Sequence, residues 1–316
     1  MSAQAALDPQ PTLQEAVASG ARRRRRAGWR NTGQAMVFAG PNVVLIAGFL
    51  FLPLILAGVL SLYRYSGFGS AQWLALDNYR QLFTDSVFYR SLANTAVFAV
   101  FTVPVGMAAG LGLAVLLNSV LPGRSVYRAI IYLPMVISGV ATGLIGTFMF
   151  DENLGTLNKI LSAVHLPTIA WQSSGIPAMA SVILVTLWIR LGFDMVIYLA
   201  GLQGISPQLY EAARTEGASA WQAFRWVTLP LVGPSTFFLL IMNVIYTFQI
   251  FDTVFVLTNG GPGFSTEVLG TYAYKSGFGP VRAQGYAAAI GVVIFVLTLA
   301  FTVIWWRTSR TRDLAG

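Results

Sequence analysis

The chain has 316 residues, of which 55% are hydrophobic and only 10% charged, and its mean hydropathy is +0.65. This composition is too apolar for a soluble domain, which must cover itself with polar surface, and it indicates a membrane protein. Cysteine is absent and histidine occurs once, at His165, so disulfides, Cys-ligated zinc and a multi-histidine metal site within this chain are excluded. The formal net charge is +8.

The N-terminal segment, residues 1–32, is polar and contains a basic cluster formed by Arg22 to Arg26 and Arg30. It has no sustained apolar periodicity, so we expect a mobile cytoplasmic tail. A basic cluster directly before a membrane span holds that end in the cytoplasm and attracts anionic lipid headgroups. The cluster therefore predicts contact with membrane lipid and no nucleic-acid partner.

Six apolar segments follow, and each is long enough to cross about 30 Å of hydrocarbon as a helix. They predict one membrane domain, residues 33–310, in a multi-pass protein of the inner or plasma membrane. Both termini are then cytoplasmic, and residues 311–316 form a short tail. The bias of basic residues supports this orientation, although the arginine cluster alone decides it. The predicted spans are residues 36–62, 93–117, 127–150, 177–201, 234–257 and 285–306.

Small residues repeat at helix-packing spacing in two spans, Gly106 with Gly110 and Gly139 with Gly143. Glycines four residues apart allow backbones to approach closely where lipid supplies no hydrophobic drive for association. Each pair predicts a close helix contact, although scattered glycines in a glycine-rich membrane protein would give the same pattern.

The longest cytoplasmic connection, residues 202–232, carries helix signals that are unusual in a loop. A serine followed by proline predicts the start of one helix and a glycine its end. A capping box then predicts a second helix, which a proline ends. In chain order these signals are Ser206 with Pro207, Gly217, Ser219 with Gln222, and Pro230. The loop is therefore predicted to be a helical hairpin.

A DNA-binding role for this hairpin is excluded because both of its ends are tethered at the bilayer and only Arg214 and Arg225 are basic. Small residues around Gly217 permit close approach, and Glu211 and Glu216 offer charge. The hairpin is then a rigid docking element for a cytoplasmic partner, or a surface hairpin that packs only on its own bundle.

The hairpin also contains the residues of a known motif in order: Glu211, Ala212, Ala213, Gly217, Leu229 and Pro230. They resemble the EAA motif of permease subunits of bacterial binding-protein-dependent ABC importers. The longer run WIRLGFDMVIYLAGLQGISPQLYEAA resembles the sugar-permease branch, the maltose and glycerol-3-phosphate type. The runs LDNYRQLF, SLANT, YLP, FDENLGTLN and FDTVFVLTNGGPGFST also fit in order, so the resemblance covers most of residues 40–306.

The resemblance implies an all-α bundle of six transmembrane helices of the type I ABC importer permease kind, with a cytoplasmic coupling helix. Glu211, Ala212, Ala213 and Gly217 would couple it to an ATPase, whereas Thr215 and Glu216 depart mildly from the family pattern. The implied partners are a second homologous permease, two cytoplasmic ATP-binding subunits, an extracytoplasmic solute-binding protein and a sugar-like substrate.

No GxxxxGK[ST] motif occurs in the chain. We therefore expect ATP and Mg²⁺ to be bound by the partner ATPase subunits, with no cofactor in this chain. Asp151, Glu152 and His165 lack the partners of a general acid–base site, and the adjacent carboxylates are expected to cap or solvate a loop. The protein is predicted to be a transport subunit and not an enzyme.

Two ionisable residues, Arg190 and Asp194, lie inside the fourth span, where a charge costs about 2.5 to 3.5 kcal/mol at a helix centre. Four residues apart on one helical face, they are within reach of an ion pair. They predict either a substrate or gate contact or a self-neutralising structural pair, and both interpretations stay open.

The fifth span has a predicted polar face, which could line a solute path near the membrane midplane because amide and aromatic groups bind sugars. Interhelical hydrogen bonds would explain the same residues equally well. The candidates on this face are Asn243, Tyr246, Gln249 and Asp252.

The glycine-rich run Gly260 to Gly263 predicts a turn on the outer side, in the region where the family's solute-binding protein docks.

Two alternatives to a sugar importer remain. An ion-gradient-driven carrier would need paired buried carboxylates or an internal repeat, and neither is evident. An importer of the same class for a non-sugar solute is the second.

Overall fold

The computed structural model describes residues 37–313 except residue 120, and side chains as far as residue 308. The predicted tail of residues 1–32 lies outside the described residues. The chain divides into two units between Ala57 and Gly58. Among the described residues, the first unit contains most of the first helix and the second contains the other elements.

Helices make up most of the described chain, as the composition predicted for an all-α membrane protein. One short antiparallel hairpin accompanies them, in which Tyr63 pairs with Trp73. The elements are α1 Val37–Leu60, β1 Tyr63–Arg64, β2 Gln72–Trp73, α2 Asp77–Leu82, α3 Ser86–Asn118, α4 Arg124–Val136, α5 Gly139–Met149, α6 Thr156–Ala163, α7 Gly175–Gln203, α8 Pro207–Thr215, α9 Ala220–Leu231, α10 Gly233–Phe248, α11 Asp252–Leu257, α12 Leu269–Phe278 and α13 Gln284–Asp313.

Within the part of the chain that the structure describes, four helices are long and apolar enough to cross a membrane without interruption: α1, α3, α7 and α13. Two further spans arise only if bent pairs are counted as one span each. The axes of α4 and α5 differ by 100°, and those of α9 and α10 by 63°. The described residues thus contain four continuous candidate spans and up to six if each bent pair is one span; the predicted fifth span, residues 234–257, includes α10 but not α9.

Two predicted spans are not continuous helices, because each is divided into two helices in the structure. The segment 127–150 is not one helix, since α4 ends after Pro134 and Ser138 begins α5 by accepting the N–H of Ala141 at 3.3 Å. The segment 234–257 is interrupted as well, because α10 ends at Phe248 and α11 starts only at Asp252.

A π-helical turn precedes a proline in two places. In α1 the N–H of Leu52 bonds to the carbonyl of Ala47, five residues earlier, and Pro53 follows. In α9 Leu229 bonds to Phe224 in the same way, and Pro230 follows. The wider turn gives the pyrrolidine ring room that a regular α-helical turn lacks.

The glycine pairs confirm their predicted role in helix packing. A methyl group on Gly110 of α3 would lie 2.6 Å from the Cβ of Asp194 in α7. A methyl group on Gly143 of α5 would lie 2.9 Å from Val256 in α11. Only glycine permits these approaches, which bring α3 against α7 and α5 against α11.

The core between α3, α7 and α10 is apolar and buried. Its largest cluster includes Met107, Met195, Tyr198, Leu239 and Val244. The hydrophobic effect does not drive these helices together in lipid, because lipid tails are as apolar as the side chains. Close packing and a few interhelical hydrogen bonds therefore hold the bundle.

Candidate functional site

The predicted helical hairpin is present and consists of α8 and α9. Ser206 occupies the N-cap with extended backbone angles and precedes Pro207, but its side chain makes no capping hydrogen bond. The capping box of the second helix is complete: Gln222 N–H donates to Ser219 Oγ at 3.3 Å, and Ser219 N–H donates to Gln222 Oε1 at 2.7 Å. The hydroxyls of Tyr210 and Thr228 join the two helices at 3.0 Å.

Gly217 ends α8 as the sequence predicted, because its φ of +79° is left-handed. Its N–H donates to the carbonyl of Arg214 at 3.0 Å, and the next N–H, of Ala218, donates to that of Ala213 at 2.9 Å. These two hydrogen bonds form the Schellman motif, in which a left-handed residue after the helix lets backbone N–H groups satisfy the last carbonyls.

Pro230 does not end the second helix, contrary to the prediction. The preceding π-helical turn, Phe224–Thr228, accommodates the proline, and α9 continues to Leu231. The 63° bend into α10 follows at Val232, directly before Gly233.

The four predicted coupling residues lie in the last two turns of α8 and at the glycine that ends it. Glu211, Ala212 and Gly217 are exposed, and Ala213 is half-buried. A side chain added at Gly217 would meet no atom within 4 Å, so the surface around it is open.

A groove of about 560 Å³ lies between the hairpin and the adjoining ends of α3 and α7. Its lining includes Asn118, Leu202, Tyr210, Arg214 and Phe224. The hairpin therefore stands beside the bundle at this end, where Phe224 packs against the buried apolar cluster.

The residues predicted within the fourth and fifth spans form a buried polar bridge and not an ion pair. Arg190 Nη2 and Nε donate to Asn243 Oδ1 at 2.8 and 3.2 Å, and Asn243 Nδ2 donates to Asp194 Oδ1 at 2.9 Å. Among the described residues, the two ion pairs within 4.0 Å involve other side chains. Arg190 and Asp194, predicted to be within reach of an ion pair, are instead joined through the Asn243 amide, which bonds to both side chains.

Aromatic rings enclose the guanidinium of Arg190 on this bridge. Its Cζ lies 4.5 Å from the ring centroids of both Phe193 and Tyr246. Such contacts stabilise a desolvated cation. Asp194 Oδ2, in contrast, is buried without a hydrogen-bond partner and faces Gly106 of α3.

The predicted polar face of the fifth span is divided into two parts. Asn243 and Tyr246 belong to the bridge, whereas Gln249 and Asp252 are exposed at the break between α10 and α11. A methyl group on Gly139 would lie 2.7 Å from Asp252 Oδ2. The interruption between α4 and α5 and the one between α10 and α11 thus meet at these two residues.

The end of the bundle opposite the hairpin contains a loop, residues 259–268, that sequence reasoning identified only as a turn. Gly260 and Gly263 have φ values of +76° and +55°, which confirms the turn. Asn94 Nδ2 of α3 donates to the carbonyls of Phe264 and Glu267 at 2.8 and 2.9 Å. The loop is therefore attached to α3.

The buried carboxylate of Glu267 is also held in this loop. Its Oε2 accepts a hydrogen bond from Lys275 Nζ at 2.6 Å, while its Oε1 has no partner. The same Nζ donates to the carbonyl of Asn259 at 2.7 Å. Sequence reasoning missed these roles, because the SLANT run indicated a resemblance without showing which group Asn94 binds.

The adjacent carboxylates after α5 cap loops, as expected. Asp151 accepts the N–H groups of Asn153 and Leu154 at 2.9 and 2.7 Å, and these bonds lower its pKa. Glu152 accepts from Ser173 and Gln172, which lowers its pKa as well. Within the described residues, no group of three His, Cys, Asp or Glu side chains could hold a metal ion.

Asp85 was also missed, and it caps α3 at the same end as the loop. Burial raises its pKa, but hydrogen bonds from the Tyr272 and Tyr286 hydroxyls and the N–H groups of Val87 and Phe88 outweigh burial and leave the pKa lowered. Aspartate before a helix is a known N-cap signal, whereas the tyrosine donors are distant in sequence.

Known proteins are similar to this sequence over most of its length. The chain is 32% identical to the sulfoquinovosyl glycerol transport system permease protein SmoG of Agrobacterium fabrum, over 90% of this chain and 94% of the relative. It is 32% identical to the trehalose/maltose transport system permease protein MalF of Thermococcus litoralis, over 89% and 94%. With the lactose transport system permease protein LacF of Rhizobium radiobacter the identity is 33%, over 87% and 94%.

The fold is also known from experiment. A bacterial ABC transporter that imports the acidic polysaccharide alginate contains a chain with a TM-score of 0.77 and 25% identity, covering 90% of this chain and 98% of that one. The same transporter with alginate pentasaccharide-bound periplasmic protein gives 0.78.

The family described as "Binding-protein-dependent transport system inner membrane component" matches residues 102–310, which include the buried bridge, the hairpin and the loop of residues 259–268. The chain therefore belongs to this family of inner-membrane permease components.

Proposed function

We propose that the chain is the permease subunit of an ATP-binding-cassette importer that moves a sugar-like solute into the cell by alternating access. The observation that carries this proposal is the exposed hairpin surface formed by Glu211, Ala212, Ala213 and Gly217. It supports the docking of a separate ATPase at the hairpin. ATP and Mg²⁺ would be bound by that subunit, which fits the absence of a GxxxxGK[ST] motif here.

The proposed assembly contains a second homologous permease, two ATP-binding subunits and an extracytoplasmic solute-binding protein. The hairpin end is cytoplasmic in this arrangement, and the end with residues 259–268 faces the solute-binding protein. Attachment of this loop to α3 through Asn94 supports a firm receiving surface. Relatives named for glycosides and polysaccharides support a sugar-like substrate.

The solute path is proposed at the junction of the two helix interruptions. Solute sites of transporters commonly lie where discontinuous helices expose backbone groups to a cavity. Gln249 and Asp252 are exposed there, and the Asp252 carboxylate lies against Gly139, where a side chain would clash with it. Arg190, Asp194 and Asn243 are buried and linked by hydrogen bonds through the Asn243 amide, so we assign them to holding α7 against α10, with Tyr246 between the two groups.

The proposal is tested with the complex reconstituted from this chain, its genomic-neighbour permease, ATPase and solute-binding protein. Gly217→Asp is compared with Gly69→Asp, a matched control because both glycines have a φ of +79° and open space around them. We expect solute-loaded binding protein to stimulate ATP hydrolysis in the wild type and the Gly69 variant. The Gly217 variant should assemble but lose the stimulation.

Two outcomes contradict the proposal. Transport by this chain alone under an ion gradient would favour a secondary carrier. Equal stimulation of both glycine variants would show that the hairpin is only structural. Stimulation by binding protein loaded with an amino acid, and not with a sugar, would retain the importer but change the solute.

A further inference from the structure

The two helices of the hairpin differ in surface chemistry. Helix α8 carries the acidic side chain of Glu211, and Glu216 follows it at the C-cap. Helix α9 contains no acidic residue, and its one charged side chain is Arg225. Its exposed face is largely aromatic and aliphatic, with Trp226 71% exposed and Leu229 also exposed.

The opposite face of α9 is already occupied. Ala223 and Phe224 line the groove beside α3 and α8, and Thr228 is buried against Tyr210. The exposed aromatic face therefore has no partner within the described residues and points away from the hairpin's own packing.

The position of α9 brings the helix to the membrane boundary. The helix ends at Leu231 and joins the membrane helix α10 at Gly233, with an angle of 63° between the two axes. If α10 runs close to the membrane normal, α9 lies closer to the membrane plane than to the normal. Its C-terminal half, which carries Trp226, is the part adjacent to the span.

The chemistry of the exposed side chains suits a location at the membrane–water boundary. Tryptophan is enriched at membrane–water boundaries because its ring is apolar and its N–H needs a polar partner. Arginine beside it pairs with lipid phosphates, and the Arg225 guanidinium already lies 5.4 Å from the Trp226 ring centroid. An amphipathic helix with such a face binds in the headgroup region.

We propose that the Arg225–Trp226–Leu229 face of α9 is a membrane-surface anchor that binds anionic lipid headgroups. The anchor fixes the second helix of the hairpin at the bilayer, while the Gly217 turn stays free for a protein partner. The inference needs only the membrane location of the chain and not its transport activity.

Trp221 provides a matched control on the same helix. It is 68% exposed, nearly as much as Trp226, but it lies in the first turn of α9 beside the Gly217 turn, away from the span, and its ring stacks on Phe224 at 5.5 Å. If exposure alone determined lipid contact, the two tryptophans would behave alike. The anchor predicts that only Trp226 contacts lipid.

The experiment uses the absence of cysteine from the native sequence. Trp226→Cys and Trp221→Cys are each nitroxide-labelled in the complete complex, in phosphatidylcholine vesicles with and without phosphatidylglycerol. Collision with oxygen, which concentrates in the bilayer, is compared with collision with a water-soluble nickel chelate. We expect a higher oxygen-to-nickel ratio at 226 than at 221, and a further rise at 226 with phosphatidylglycerol.

A second measurement covers the case in which the label itself alters the anchor. Brominated lipids quench tryptophan fluorescence, so Trp226→Phe should reduce the amount of fluorescence that the lipids quench, whereas Trp221→Phe should leave that amount unchanged. Nickel access at 226 equal to that at 221 would overturn the proposal. So would protection at 226 from both reagents that disappears when the ATPase is removed, since the face would then bind protein. A complex that fails to hydrolyse ATP but shows the expected lipid contact leaves the anchor intact and contradicts only the transport function.

Discussion

The side chain of Asn243 lies between Arg190 and Asp194, with Asn243 Oδ1 2.8 Å from Arg190 Nη2. This contact joins α10 to α7 across the apolar interior of the bundle. One neutral amide thus bonds to the Arg190 guanidinium on one side and to Asp194 Oδ1 on the other, because an amide has both a donor and an acceptor group.

Removal of this amide should destabilise the bundle. In Asn243→Ala the guanidinium and the carboxylate lose their shared partner, and unsatisfied buried polar groups cost about 1–3 kcal/mol. We expect a lower melting temperature in detergent, measured by the loss of the monodisperse peak on size-exclusion chromatography after heating. Gln249→Ala, which removes an exposed amide, serves as control; equal melting of both variants would contradict the role assigned to the bridge.

Substitution of Asp252 should impair transport with little effect on stability. Its carboxylate is exposed at the junction of the helix interruptions, where it would accept hydrogen bonds from solute hydroxyls. Charge-assisted hydrogen bonds contribute about 1.5–3 kcal/mol, so Asp252→Asn should weaken solute uptake about tenfold or more. Uptake of radiolabelled solute into proteoliposomes measures this, and an unchanged uptake rate at limiting solute would remove Asp252 from the path.

Loss of the Asn94 amide should loosen the loop of residues 259–268. Asn94→Ala removes two hydrogen bonds to backbone carbonyls, each of which contributes about 1 kcal/mol. Hydrogen exchange followed by mass spectrometry should then be faster in peptides of this loop and unchanged in the α8–α9 hairpin. Asn153→Ala is the matched control, since the structure shows no hydrogen bond from the side chain of Asn153. Equal exchange in wild type and Asn94→Ala would show that the loop holds its conformation without α3.

Acid should destabilise the end of the bundle that contains Asp85. The pKa of this carboxyl is below its ordinary value of 3.8, because the bonds from tyrosine hydroxyls and backbone N–H groups outweigh burial. Its contribution to stability is therefore present above 3.8 and is lost as the pH falls through the lower pKa of the folded state. Asp85→Asn should melt at a lower temperature than wild type at neutral pH, and the difference should shrink in acid. A constant difference would exclude a titrating role.

Alkali should act on the same contact through Tyr272. Burial, together with the hydrogen bond to Asp85, raises the pKa of its hydroxyl from 10.0 to about 12. The stabilisation is present below 10.0 and falls as the pH rises toward 12, because the unfolded chain loses its proton first. Tyr272→Phe should weaken this alkaline dependence in thermal melts, since the Tyr286 hydroxyl still donates to Asp85; an unchanged dependence in the variant would assign it to another group.

Much of the architecture follows from local sequence. The six apolar segments are present, and the ends of α8 and the start of α9 agree with the signals at Pro207, Gly217 and Ser219. Such signals act within a few residues, so no knowledge of neighbouring helices is needed to interpret them. Prolines were less predictive, because the π-helical turn before Pro230 lets α9 continue beyond it.

Sequence by itself determined that this protein spans a membrane, that it presents a helical hairpin between its fourth and fifth spans, and that glycine pairs mark close helix contacts. Only the tertiary structure decided that Asn243 separates Arg190 from Asp194, that the fifth span is interrupted beside Gly139, and that Asn94 holds a distant loop. The physical reason is range: hydropathy and capping depend on neighbours in the chain. The bridging amide, in contrast, depends on how two helices pack, because Arg190 and Asn243 are 53 residues apart in sequence.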